Sequence, residues 1–206
     1  MGTPASQTDI VNAVLARIGS TERLTSIDDP NSNSGRRIAV LWDMARRLLT
    51  GMHPWNHAVT RAMLNASAEA PAFGWSYKFR LPNDCLRWLP AAHVDPDYFD
   101  AEREGAFLLA NMPGPLPIRY IADVETVPAW SPGFVEAMTT CLAAWVSLGV
   151  SESLGISDRM ADAAERAVRR GKRMDGLETG QRRRGAVVSQ SAWLGGRGRP
   201  YGWMGR

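Results

Sequence analysis

Two hydrophobic periods share this chain, and their order constrains the fold more than any single motif. From residue 6 to 51, and again from about 131 to 173, apolar residues recur at intervals of three and four, the spacing of one helix face. Between them, from Trp55 to about Thr126, the interval drops to two and prolines punctuate the runs. A helical half, a strand-rich middle and a second helical half must bring the two helical parts together around one core.

The first helix starts near Ser6 or Thr8, with Asp9 at capping-box spacing from Ser6. Ile10, Val11, Val14, Leu15 and Ile18 make its stripe, and Gly19 is a natural stop. The second helix is expected from about Ser34 to Gly51. Its buried stripe is read as Ile38, Leu41, Trp42, Ala45, Leu48 and Leu49, with Arg36, Arg37, Arg46 and Arg47 off that face. The third begins at Ser131-Pro132, with Ser at the cap and Pro at the first helical position, and buries Phe134, Met138, Cys141, Leu142, Trp145 and Leu148. The fourth starts at Ser157-Asp158. It has a face of small residues (Ala163, Ala164, Ala167, Gly171) that allows close helix approach, and an outer face of Arg166, Arg169, Arg170, Lys172 and Arg173.

In the middle, Trp75, Tyr77 and Phe79 alternate with polar residues as one strand. Leu86–Val94, Phe107–Leu109 and Ile118–Ile121 are three more candidates. The fold class expected is therefore mainly α: a four-helix bundle with an inserted small antiparallel β region and an extended C-terminal arm. The segments are 1–54 (helices one and two), 55–127 (β-rich insertion), 128–184 (helices three and four) and 185–206 (the arm).

Charge separates the end of the chain from the rest. Arg166 to Arg206 holds eleven Lys/Arg against two acids, Asp175 and Glu178, a formal +9; the preceding residues hold thirteen against nineteen, a formal −6. The arm, GAVVSQSAWLGGRGRPYGWMGR, has six glycines and a proline yet keeps Trp193, Tyr201 and Trp203. Gly and Pro at this density oppose a helix or a central strand. Large aromatics beside Arg197 and Arg199 are the residue types of interface hot spots, so the arm reads as something that docks.

Chemistry finds little support. His53 and His57 are four apart, but Pro54 lies between them, and with His93 they show no metal-ligand spacing. Asp28, Asp29, Asn31 and Asn33 do not keep the twelve-residue calcium pattern and read as turns before a helix cap. Asp95, Asp97 and Asp100 could form an acid/base pair for a hydrolase, but read more simply as a solvated turn. Ser189 and Ser191 have no positioned base. Cys85 and Cys141 are far apart and read as buried thiols. No phosphate-binding glycine loop occurs. No enzyme activity, metal or cofactor is expected. The N-terminus lacks the pattern of a signal peptide, and Pro4 argues against myristoylation at Gly2. The longest apolar stretch, Phe134–Val150, is interrupted by Glu136, Thr139 and Thr140, so no membrane partner is expected. Arg182, Arg183 and Arg184 with GGRGRP keep a nucleic-acid-binding alternative open, though no reading motif accompanies them.

Several segments in order carry a resemblance. DIVNAVLARIGS is an opening helix ending in Ile-Gly. An Asp/Asn-rich loop leads to GRRIAVLWDMARRLLTGMHPW, which ends in Trp55. FRLPNDCLRWL holds a Leu-Pro-x-Asp-x-Leu-like turn. Tyr120-Ile121, then Val127-Pro128 and Ser131-Pro132-Gly133-Phe134, complete the series. Over about residues 8–184 the chain resembles the head-to-tail adaptors of short-tailed bacteriophages, the tail tubular protein A family.

That resemblance implies a structural virion protein, made in the host bacterial cytoplasm and placed at the head–tail junction. It implies a homo-oligomeric ring of about twelve copies below the portal protein. The ring continues the DNA channel and offers its far face to a tail nozzle protein and to fibres or spikes. The helices are implied to pack as a bundle, and the β region to make tail-side contacts. The arm is implied to grip the portal. On this reading Trp193, Arg197, Arg199, Tyr201 and Trp203 are portal anchors, and Arg182, Arg183 and Arg184 face the channel, with non-specific contact to phage DNA. The arm's 22 residues extend to roughly 70 Å, enough to reach a neighbour, and are expected to order on the portal.

Overall fold

The computed structural model describes residues 6–29, 32–90, 100–151 and 154–179. The element order is α1 (Gln7–Arg17), α2 (Asn33–Met52), β1 (Val59–Leu64), β2 (Tyr77–Arg80), β3 (Cys85–Leu89), β4 (Ala101–Glu104), β5 (Phe107–Ala110), β6 (Leu116–Ala122), α3 (Pro132–Ser151) and α4 (Leu154–Glu178).

The expectation of a mainly α bundle with a small β insertion is overturned. The described residues form a mixed fold, 47% helical and 20% strand, with four α-helices and two three-stranded antiparallel sheets among them. The β region is not an appendage, because it buries a core of its own. Two strands escaped the sequence reading. β1, VTRAML, is an edge strand with Arg61 and Met63 in solvent, so its alternation is blurred. β4, AERE, is a charged edge strand with no apolar face to detect, a common way of protecting an edge.

α1 follows from its caps. The Asp9 N–H donates to Ser6 Oγ, the Ser6 N–H donates back to Asp9 Oδ2, and Gly19 takes φ +79 just past the helix end. α3 lies between the other helices: α4 packs along it, and α1 and α2 rest against it. The α3–α4 approach is close because Gly133 faces Gly171. Ser131 opens α3 through its backbone carbonyl; its hydroxyl has no hydrogen-bond partner among the described residues, so it is no side-chain cap.

One sheet has the order β1-β6-β3, the other β2-β5-β4. Gly105, at φ +57, makes the two-residue β4–β5 turn. β6 joins the two cores. Leu116, Ile118, Tyr120 and Ala122 face the second sheet, packing with Phe79, Leu108 and Ala110. Ile121 points the other way, into the helical core with Trp55, Trp130 and Phe134. Alternation along a strand places adjacent Tyr120 and Ile121 in different cores.

Candidate functional site

The described residues hold three features that a folded core does not require: a fixed root for the C-terminal segment, an apolar stripe in water, and an exposed aromatic on a clamped loop.

The root sits where α4 ends beside the end of α2. Asp175 is buried, and its carboxylate accepts from the Asn56 N–H at 2.9 Å and from His53 Nε2 at 3.1 Å. Asn56 Nδ2 donates to the Asp175 carbonyl, and Thr179 Oγ1 donates to Asn56 Oδ1. Residue 179 is thereby held against the α2–β1 connection. His57 lies next to this knot, ring against Phe134. Burial pushes its pKa down to about 4, with the Asp175 charge pulling the other way. Its Nδ1 accepts a long 3.5 Å bond from the Ser131 N–H, and its Nε2 has no partner among the described residues. Sequence spacing rejected His53 and His57 as a metal pair, and the fold uses them separately, one on Asp175 and one in the aromatic nest.

The stripe is on α2. Ile38, Trp42, Ala45 and Leu49 are buried as expected, but Leu48 is not. It belongs to a second apolar row, Val40, Met44, Leu48 and Met52, spaced four apart over about 18 Å of helix. Val40 is 80% exposed and the others about half. Side chains of this size gain up to about 1.5–3 kcal/mol each on full burial, so the row is a sizeable reserve. Its first member, Val40, lines a groove with Trp145 of α3, which is also partly exposed rather than buried. Arg36, Arg37, Val40, Leu41, Trp145 and Val146 enclose a shallow groove of about 570 Å³ there.

Arg46 departs from the sequence expectation in the opposite direction. It is only 4% exposed, and its guanidinium bonds Asp123 just after β6, with Asp43 at 3.1 Å and Glu125 at 3.4 Å. Arg47 reaches the same Asp123 at 3.4 Å. This cluster ties α2 to the β region. On the basic outer face of α4, Arg166, Arg169, Arg170 and Arg173 are exposed as expected, while Lys172 is half-buried. Three of its arginines have carboxylates within 4.0 Å: Arg166 with Asp162, Arg169 with Glu165 and Arg170 with Glu136.

The loop between β1 and β2 carries Phe73, 88% exposed, a residue the sequence does not single out; Trp75, expected to open a strand, lies in this loop, and β2 begins at Tyr77. Cys141 and Cys85 are pushed above the usual thiol pKa by burial, Cys141 to about 11, which disfavours the thiolate. Among the described residues no three His, Cys, Asp or Glu side chains converge on a metal position, and no helix is long and apolar enough to cross a membrane. Asp100 is exposed; Asp95, Asp97 and His93 lie outside the described residues. So do the arm, with Trp193, Arg197, Arg199, Tyr201 and Trp203, and the triplet Arg182, Arg183 and Arg184. No protein-family model matches the chain, and no curated protein matches it.

Proposed function

We propose that this chain is a head-to-tail adaptor of a short-tailed phage virion. Copies assemble as a ring that joins the portal protein to the tail nozzle and to fibres or spikes, and the ring continues the DNA channel. The exposed row Val40, Met44, Leu48 and Met52 is the observation that carries this reading. A helix with a second, unburied apolar row beside the buried one fits a protein that finishes its burial in an assembly. The rooted end of α4 supports it too. The last described residue, Thr179, is held by Asp175 and Asn56, so an arm docked elsewhere would pull on the folded body through that joint.

The chemistry of the arm then has a place. Trp193, Tyr201 and Trp203 are anchors for portal clefts, with Arg197 and Arg199 beside them. Repetition around a ring supplies avidity, so each arm needs only a few kcal/mol. In this reading the protein is structural and uses no catalytic group.

The test is mixing the purified chain with its cognate portal and imaging the product by negative-stain microscopy. A ring on the portal is expected for the full chain, and loss of docking without loss of fold for a chain ending at Arg184. Absence of any portal complex refutes the proposal. The alternative, a nucleic-acid-binding protein, predicts tight DNA binding with a steep salt dependence that falls on replacing Arg182, Arg183 and Arg184 by Ala.

A further inference from the structure

Phe73 is an exposed aromatic, the groove beside Val40 is lined by apolar residues with arginines on its rim, and the two share no lining residue. We propose that Phe73 of one copy seats in the groove lined by Val40, Leu41, Trp145 and Val146 of the next. This names the contact that closes the ring, and it rests on the adaptor reading for taking the partner to be a second copy.

The loop bearing Phe73 is held rather than loose. Ala66 bridges Phe79, and the Ser67 N–H donates to the Lys78 carbonyl at 2.8 Å. Lys78 pairs with Glu69 at 2.5 Å. At the far end the Ser76 N–H donates to Asn111 Oδ1 at 3.0 Å, and Trp75 Nε1 donates to Glu102 at 3.3 Å. Gly74, at φ +82, sets the turn directly after Phe73. An aromatic ring presented in water by a clamped backbone loses little freedom on docking, which is what a hot-spot residue needs.

The charges select among occupants. The groove has Arg36 and Arg37 on its rim, and Arg37 has no ion pair among the described residues. Around the Phe73 loop stand Glu69, Glu102 and Glu104 with Lys78 and Arg103; Lys78 pairs with Glu69, Glu104 has no ion pair among the described residues, and the rim keeps one net negative charge. A second α2 row placed on the groove would set arginines against arginines. The C-terminal segment, with six arginines and no acid after Thr179, would do the same. The Phe73 loop of another copy, whose rim carries a net negative charge, is the occupant that matches. Knob and groove are different surfaces of one chain, so the contact is head-to-tail, the kind that generates rings.

Sedimentation of the full chain without portal, over concentrations up to about 1 mM, tests this. Mass should rise with concentration for the native chain. Phe73→Ser, which blocks the knob, and Val40→Arg, which blocks the groove, should each stay monomeric alone. Mixed in equal amounts they should form a heterodimer and stop, because each supplies the surface the other keeps. Arg37→Glu should weaken self-association about tenfold. Circular dichroism on each variant checks that the fold is kept. A native chain that stays monomeric throughout, or a Phe73→Ser variant that still associates, overturns the proposal. A native chain that stays monomeric alone yet docks on the portal refutes this contact alone. Self-association without any portal docking refutes the adaptor reading alone.

Discussion

Gly133 and Gly171 face each other across the α3–α4 contact with no room for a methyl group. A Cβ on Gly171 would stand 2.7 Å from the Gly133 carbonyl oxygen and 3.1 Å from the Trp55 ring. Gly171→Ala should therefore cost about 1–3 kcal/mol, through displaced backbone rather than lost contacts. Gly176 of the same helix has open space around its Cβ position. Gly176→Ala should stabilise by about 0.5–1 kcal/mol from helix propensity. Urea denaturation of the two variants should give opposite signs; equal effects would refute the close approach.

Arg46 is the second sensitive position. Arg46→Met keeps most of the stem but leaves Asp123, itself largely buried, with only the 3.4 Å contact to the exposed Arg47. Breaking a buried pair from one side costs about 3–5 kcal/mol. Arg47→Met, at the exposed partner, should cost under about 1 kcal/mol. Equal losses at 46 and 47 in thermal melts would mean that Arg46 is not the tie.

His57 gives the fold a pH dependence with a definite sign. Its pKa falls from 6.5 to about 4 on folding, so the folded state favours the neutral ring. Above pH 6.5 both states are neutral at this site and it contributes nothing to the pH dependence. As pH drops from 6.5 toward 4 the unfolded chain takes up the proton first, and stability falls by a few kcal/mol. His57→Phe should flatten the stability profile in that window. A profile unchanged by the substitution would remove His57 from the account.

Asp175 should be needed for stability beyond its charge. Asp175→Ala strands the Asn56 N–H and the His53 ring nitrogen at the α4 end, a loss of about 2–3 kcal/mol. Asp175→Asn keeps one acceptor and should recover part of it. Amide exchange at Asn56 should accelerate in the Ala variant and much less in the Asn variant.

The parts of the fold legible in the sequence were those set by local chemistry. The Ser6–Asp9 capping box, the α1 stripe and Gly19 need only neighbours within one helix. The turn after Leu81 and strands β2, β5 and β6 carry alternation or turn residues of their own. β4 had no apolar signal, and the weight of the β region depended on which strands share a core, which no single strand states. Arg46 could not be told from Arg47 on a helical wheel, because its partner Asp123 is 77 residues away. Leu48 belongs to the second of two neighbouring apolar rows of α2, and periodicity merges such rows into one face. The row at 40, 44, 48 and 52 was visible as a spacing of four; that it stays in water was not. Phe73 stood outside any pattern, since one exposed aromatic has no period.

β6 is a seven-residue strand whose neighbouring side chains belong to different cores. Adding or removing one residue between Leu116 and Ala122 would send Tyr120 toward the helices and Ile121 toward the sheets, damaging both at once. Sequence length is therefore frozen in this strand, which is the ruler against which both halves of the fold are built.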